Sequence, residues 1–420
     1  MGINAPRGTN DILPPASLQW GYIVDKARSV FTCGNYQEIK TPIFEYTELF
    51  TRGIGEDTDI VEKEMYTFED KGGRSLTLRP EGTASVVRSF MENKIYGEAQ
   101  PNKYFYFGPM FRYERPQSGR YRQFYQIGVE VLGSNDPAVD AEIITLGMNF
   151  LHELGLKDLD LYINSIGCPE CRAEYVDDLK EYLESYRDKL CADCSRRLKR
   201  NPLRILDCKQ DECKQVIASA PRITDFLCQE CEDHFSGVMS YLELANMTYE
   251  VDSKLVRGLD YYTNTAFEIK FSGLGAQDTI FGGGRYNGLA GEIGGRSVPG
   301  AGFALGVERL IMTLEKQEIE LPVKRDIDLY ITTIGEKAKN AAFSYVNELR
   351  KSGLKTVMDY LGRSVKGQMK DADRKNSTFT IILGENELET GRATVRNMKT
   401  GEEKEVELDK LVDVMLELIE

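Results

Sequence analysis

The chain has 420 residues, more than one hydrophobic core usually supports, and its 53 basic and 67 acidic residues leave a net charge of −14. With 41% apolar and 10% aromatic residues it is neither disordered nor fibrous, and the acidic balance argues against a general polyanion binder. Its apolar runs fall short of the ~20 residues a membrane span needs, and Met1-Gly2-Ile3-Asn4-Ala5-Pro6-Arg7 lacks the apolar stretch of a secretory leader, so the expectation is a soluble, cytoplasmic protein without membrane contact.

After the punctuating Asn10-Asp11-Ile12-Leu13-Pro14-Pro15, apolar residues at Leu18, Ile23, Ala27 and Val30 predict an amphipathic helix. Met65–Phe68 and Leu76–Arg79, joined around Gly72-Gly73, read as a hairpin. Lys103–Arg112 and Gln123–Leu132, rich in Tyr, Phe and Val, read as two antiparallel strands flanking a polar, basic loop, and Ala138–Leu154 has helical periodicity. From about Asp160 to Asn246 charged helical stretches alternate with cysteine pairs, which suggests an inserted module. Strand signals resume at Ala266–Lys270, and a helix begins near Gly306. Glu315–Lys324, with Pro322, looks like a linker. Beyond it come a strand at Ile327–Ile331, a helix at Ala338–Leu349, a strand at Thr356–Met358 and a helix near Ser364–Lys375. A strand at Phe379–Leu383, a hairpin around Lys399-Thr400-Gly401 and a helix at Lys410–Ile419 complete a plausible α/β domain.

The two histidines, His152 and His234, leave little room for a histidine-based triad. His152-Glu153 is followed by Leu154-Gly155-Leu156, which breaks the metalloprotease helix pattern, and no nucleophile elbow occurs. Gly362–Gly367 continues as Gln368-Met369 where a phosphate loop requires Lys and Ser/Thr. Both histidines read as structural, outside any polar constellation.

Five short stretches could carry chemistry. Arg112, Arg115, Arg120 and Arg122, with Glu114 among them and Phe124 beyond, offer guanidinium clamps for phosphate and a stacking face, or else a solvated hairpin tip. Glu81 and Thr83 at a strand end suit an ammonium group, or a helix start. Arg257, Asp260, Tyr261 and Tyr262 join a cation, a carboxylate and two phenols. Read as a strand, this segment would turn only one tyrosine to a given pocket. Gly282-Gly283-Gly284 lets backbone approach a ligand closely. Gly302–Leu310 passes from strand into helix and places Arg309 near a helix start, which favours anions.

In this order the stretches resemble the histidyl-tRNA synthetases, a family of class II aminoacyl-tRNA synthetases, over essentially all 420 residues. Lys40-Thr41-Pro42-Ile43-Phe44-Glu45 is similar to the first class II motif, whose proline lies at the dimer interface. Phe111-Arg112-Tyr113-Glu114 through Phe124 is similar to the second and Gly306-Val307-Glu308-Arg309-Leu310 to the third. Leu255–Thr263 and Gly283–Tyr286 look like two blocks peculiar to the histidine enzymes.

The resemblance implies an α+β fold. Its parts are a class II antiparallel-sheet catalytic domain (1–159 and 251–324), an inserted helical, Cys-rich module (160–250) and a C-terminal α/β anticodon-binding domain (325–420). It also implies a homodimer that uses ATP with Mg²⁺ to attach L-histidine to tRNA(His) through a histidyl-adenylate. Arg112 would hold the α-phosphate and the histidine carboxylate, with Arg257 opposite it. Phe124 and Arg309 would sandwich the adenine, Glu114 would face its amino group, and Arg120 would hold the terminal phosphates. Glu81, Thr83 and Gln126 would receive the α-amino group. Glu130 and Tyr262 would bond the imidazole, with Tyr261 and Tyr286 lining the pocket. A carboxylate plus a phenol can satisfy both ring nitrogens. Arg115 and Gln117 are candidates for the tRNA acceptor end. Arg350–Lys375, a local +5, is a candidate anticodon surface or a plain basic helix face. The alternative is a non-catalytic histidine-binding paralogue of the ATP phosphoribosyltransferase regulatory type. Such paralogues typically lose the second-motif arginines or the arginine-tyrosine block and lack the C-terminal domain.

Eight of nine cysteines form pairs: Cys168/Cys171, Cys191/Cys194, Cys208/Cys213 and Cys228/Cys231. The first four match C-x₂-C-x₁₉-C-x₂-C, the spacing of a zinc ribbon, and eight thiolates could make two structural Zn²⁺ sites or stay as reduced thiols. Arg196, Arg197, Lys199 and Arg200 within this module are candidates for contact with the tRNA acceptor arm. Cys33 reads as a core residue.

Overall fold

The computed structural model describes residues 2–55, 58–117, 119–323 and 326–419. They form two compact units that divide between Leu321 and Pro322. The predicted linker overlaps the end of the helix Val307–Lys316, and its last residue, Lys324, lies outside the described residues.

In the first unit the strands before the Cys-rich segment are β1 (Gln37–Glu38), β2 (Phe44–Tyr46), β3 (Tyr66–Glu69), β4 (Ser75–Leu78), β5 (Asn102–Phe111), β6 (Gln123–Leu132) and β7 (Asp160–Ser165). After it come β8 (Glu250–Val251), β9 (Thr263–Lys270), β10 (Thr279–Arg285) and β11 (Gly300–Gly306). Eight of them build one sheet in the order β1-β5-β6-β11-β10-β9-β7-β8. Its pairs are antiparallel except at the two edges, where β1 runs parallel to β5 and β8 to β7. The change of character near Asp160 thus falls on a strand of the main sheet, and the Cys-rich helices lie between β7 and β8.

Period-two alternation explains how this sheet separates core from site. Ile127, Val129 and Val131 of β6, Phe105 of β5 and Phe303 and Leu305 of β11 join a core with the helices Ala16–Cys33, Pro137–Glu153, Gln229–Leu244 and Val307–Lys316. The intervening residues Phe124, Gln126 and Glu130 therefore face the other way, where Tyr106, Met110 and the helix Thr83–Glu92 form a second core with the Cys-rich segment. A three-stranded sheet, β2-β4-β3, stands apart and leaves Phe44, Tyr46 and Phe68 exposed.

The second unit holds β12 (Ile327–Thr333), β13 (Thr356–Met358), β14 (Ser377–Leu383), β15 (Arg392–Asn397) and β16 (Glu403–Glu407) in the order β13-β12-β14-β15-β16. The first three are parallel, connected through the helices Glu336–Lys351 and Val365–Arg374, and the last two form the predicted hairpin. Leu329, Ile331, Ala342, Val346, Phe379 and Ile381 centre its core.

Two sequence expectations fail here. Tyr261 and Tyr262 lie in a turn that ends before β9, not on a strand, so the opposite-face rule does not apply and both rings point into one pocket. Cys33 is exposed rather than core: it is the last residue of a helix whose buried stripe is Ile23, Ala27 and Phe31.

Candidate active site

The hairpin β5–β6, the end of β11 and the loop before β9 surround a cavity of about 230 Å³. Glu81, Thr83, Arg112, Glu114, Arg120 and Phe124 line it, as do Gln126, Arg257, Tyr261, Tyr262 and Arg309. Glu130 and Tyr286 do not line it; they lie fully buried one layer behind Thr83. Arg115 and Gln117 sit on the exposed hairpin tip, away from it.

One side of the cavity is cationic. The register of β5 and β6 ends at Phe111↔Gln123, which puts Arg112 at the mouth of the hairpin. Its Nε donates to the Pro80 carbonyl (2.9 Å) and its guanidinium covers the Phe124 ring at 5.2 Å. Glu114 lies between Arg112 (3.9 Å) and Arg120 (3.4 Å). Arg309 enters from the first turn of the helix that follows β11 and donates to the Thr279 carbonyl (2.9 Å). Burial, reinforced by the charge of Arg120, lowers its pKa. Arg257 crosses the open backbone of Gly282, where a Cβ would come within 2.6 Å of its Nη1. It is paired with Glu268, and its Nε is buried with no hydrogen-bond partner among the described residues.

The opposite side carries acids, hydroxyls and phenols. Glu81 is buried, and its two oxygens accept the amides of Thr83 (2.7 Å) and Ala84 (2.9 Å), so it starts a helix and lines the cavity at once. Gln126 Oε1 is buried without a partner among the described residues. Glu130 accepts hydrogen bonds from Thr83 Oγ1 (2.7 Å), Tyr106 OH (3.4 Å) and Tyr286 OH. Gly302 stands directly across from it in β11, and a Cβ there would collide with the carboxylate. Burial pushes Glu130 up to about 8 against the pull of those three hydroxyls. The Tyr261 and Tyr262 rings are 4.7 Å apart, and Tyr261 meets Tyr286 edge-on at 5.7 Å.

Several residues that the sequence did not single out complete the arrangement. Glu268 holds Arg257 and accepts from Thr279 Oγ1 (3.1 Å); its signal was a lone acid alternating with Phe267 and Ile269 in a strand. Glu308 lines the cavity, accepts the Tyr125 amide through both oxygens (3.0 and 3.1 Å) and is pushed by burial up to about 7. Behind Tyr286, the fully buried Arg285 pairs with the fully buried Asp140, and His234 Nε2 lies 3.4 Å from the same carboxylate. Burial alone would raise Asp140, but His234 and Arg285 bring it below the usual range. His234 therefore does sit in a polar constellation, contrary to the sequence expectation, because its partners come from positions about 50 and 90 residues distant.

The cysteines form two groups of four, Cys168/Cys171/Cys228/Cys231 and Cys191/Cys194/Cys208/Cys213, whose ligand atoms lie within 4.8 Å of one another in each group. The zinc-ribbon pairing of the first four is thus overturned: the first pair joins the last, and the second joins the third. Cys168, Cys191 and Cys228 are each the residue before the first turn of a helix, and Cys191 Sγ accepts the Cys194 amide there (3.5 Å). Cys228 N donates to Cys171 Sγ (3.1 Å) and Cys191 N to Cys213 Sγ (3.2 Å).

The profile of the family described as histidyl-tRNA synthetase matches residues 8–310, and that of an anticodon binding domain matches residues 328–418. A histidine–tRNA ligase of Halothermothrix orenii is 66% identical over 419 residues, covering 100% of both chains. Another, from Desulforamulus reducens, is 54% identical over 407 residues, covering 97% of each. The crystal structure of apo histidyl-tRNA synthetase from S. aureus superposes with a TM-score of 0.85 at 46% identity, covering 99% of this chain and 100% of that one. Cavity, sheet order and full-length likeness coincide on the same residues, and the chain belongs to the histidyl-tRNA synthetase family.

Proposed function

We propose that this protein attaches L-histidine to tRNA(His) in two steps. A histidine carboxylate oxygen attacks the α-phosphorus of MgATP, the bond to the β-phosphate oxygen breaks, and pyrophosphate leaves with the electron pair. A terminal ribose hydroxyl of tRNA then attacks the acyl carbon of the histidyl-adenylate and releases AMP. The observation that carries this reading is a single cavity with guanidinium groups on one side and carboxylates, hydroxyls and phenols on the other.

Arg112 and Arg257 flank the α-phosphate, where negative charge gathers in the transition state, and need no histidine base. Arg309 and Phe124 hold the adenine, Glu114 its amino group and Arg120 the outer phosphates. Glu81, Thr83 and the unpartnered Gln126 oxygen receive the ammonium. Tyr262 and, from behind, Glu130 bond the imidazole beside Tyr261 and Tyr286. A buried polar pocket left unpaired by the wrong side chain discriminates by up to ~10⁴–10⁵. Arg115 and Gln117, on the exposed tip, would meet the acceptor end, and the domain assigned to 325–420 would bind the anticodon. The regulatory reading is not favoured: the likeness to ligases runs through residue 418, and Arg112, Arg257 and Arg309 all line the cavity.

Each cysteine group fits one structural zinc. Tetrahedral coordination with Zn–S near ~2.3 Å sets sulfurs ~3.8 Å apart, and Cys168–Cys171, Cys171–Cys231 and Cys191–Cys208 stand at 3.5, 3.9 and 4.0 Å. Reduced thiols agree with a cytoplasmic location, and among the described residues no helix is long and apolar enough to cross a membrane. The exposed Ile43, Phe44, Tyr46 and Phe68 beside Pro42 offer the face through which two copies would pair. Histidine-dependent exchange of pyrophosphate into ATP without tRNA tests the first step. Arg257→Ala is expected to lower that exchange by ~10²–10³ while far-UV circular dichroism stays unchanged. Exchange that ignores histidine, or a near-normal rate in the variant, would overturn the reading.

A further inference from the structure

The Cys168/Cys171/Cys228/Cys231 group is joined to the tyrosine wall of the cavity through Arg172 and Asn264. The chain leaves β7 through Ile166 and Gly167, whose backbone meets Asn264 in both directions: Ile166 N donates to Asn264 O (2.6 Å), and Asn264 N to Gly167 O (2.9 Å). Asn264 adopts a φ of 50°, and its Nδ2 reaches Cys231 Sγ at 3.5 Å. Arg172, the residue after Cys171, donates Nη2 to the Tyr262 carbonyl. Gly167 has a φ of 64°, and a Cβ on it would come within 2.8 Å of Cys171 Cβ, so the first cysteine turn presses closely against this segment.

Tyr261 and Tyr262 precede β9, so no strand ladder holds them. The Tyr262 carbonyl and both backbone groups of Asn264 bond instead to residues 166–172. Tyr261 also lines a second cleft, together with Cys168, Arg172, Cys231 and Asn264. It is a partition with the histidine side in front and the cysteine group behind.

Resting on the pocket and zinc readings above, we propose that this four-cysteine site, loaded with zinc, is the positioning element of the histidine pocket. Through Gly167, Arg172 and Asn264 it fixes the backbone of residues 262–264 and with it the two phenols that wall the imidazole. Zinc ties the first cysteine turn to Cys228 and Cys231, some 60 residues along the chain, and so removes the freedom by which the wall would drift. A displacement of ~1 Å in a positioning group can cost ~10²-fold. Arg172 and the cysteines are positioning residues, since none of them lines the main cavity.

The test uses full-length protein, zinc analysis and pyrophosphate exchange with histidine and ATP varied separately. Wild type is expected to hold two zinc ions per chain. Cys228→Ser should lose one and raise KM for histidine at least tenfold, with KM for ATP within twofold. Arg172→Ala should keep both ions and raise KM for histidine about fivefold, and Arg172→Lys, which retains a donor, should recover most of it. Zinc loss without a shift in histidine KM, an unchanged Arg172→Ala, or an equal rise in both KM values overturns the coupling while the zinc sites stand. Less than half an ion per site in wild type overturns the zinc reading and the coupling with it. Wild-type exchange that ignores histidine would instead remove the proposed function.

Discussion

Glu130 has only hydroxyl partners, those of Thr83, Tyr106 and Tyr286, and no cation among the described residues, which is why burial raises its carboxyl to about 8. A carboxyl whose folded pKa lies above its unfolded value contributes stability that is fully present below ~4.3. That stability is lost as pH rises towards about 8. Glu130→Gln has no such loss, so the Tm of the variant minus that of wild type should rise from pH 5 to pH 8.5, by ~2 °C for each kcal/mol. A gap independent of pH would remove the assigned protonation. The same variant should raise KM for histidine far more than KM for ATP, because the amide replaces a carboxyl oxygen of the pocket with an NH2 donor. Glu130 was legible only through the family resemblance, although it is the lone acid of its strand, between Val129 and Val131. Tyr261 and Tyr262 were harder, since adjacent aromatic residues favour strands and only tertiary bonds to residues 166–172 hold them in a turn.

Among elements, those whose partner lies next in the chain were readable. β5 and β6 pair over ten positions across an eleven-residue loop, and the two runs are rich in Tyr, Phe and Val. The cysteine groups were not readable to the same degree. C-x₂-C gives a local turn at a helix start, but which turn meets which is decided by packing over 60 residues. The same packing orients the helix Ala192–Arg200. Its cap is Cys191, and its basic face points Arg197 and Arg200 at Asp59 and Glu62. Exposed pairs of this kind are worth ~0–1 kcal/mol, so tRNA phosphates can displace the acids. Replacing Arg196, Arg197, Lys199 and Arg200 with Ala should raise KM for tRNA. It should also flatten the dependence of log kcat/KM on log salt by ~0.7–0.9 for each phosphate no longer neutralised. Unchanged slopes at several salt concentrations would rule out a role for this face in tRNA binding.

At the scale of the whole molecule, the division between residues 321 and 322 separates two chemistries. The core around Leu329, Ile331, Ala342 and Phe379 draws every member from the second unit, while the three remaining cores draw theirs from the first. A chain ending at Leu321 keeps each residue assigned to ATP and histidine. It gives up the stretch Arg350–Lys375, whose Asp359 and Asp371 neutralise Arg363 and Lys375 but leave Lys366 and Lys370 without an acidic partner among the described ion pairs. Binding of anticodon phosphates there would supply affinity for tRNA without touching the first step. A protein of residues 1–321 should therefore exchange pyrophosphate within threefold of the full chain, while kcat/KM for charging tRNA falls by at least ~10², equivalent to ~2.7 kcal/mol of binding free energy. If the shortened protein folds, as judged by a cooperative melt, yet fails to exchange, the second unit contributes to activation itself and the two chemistries are not separable.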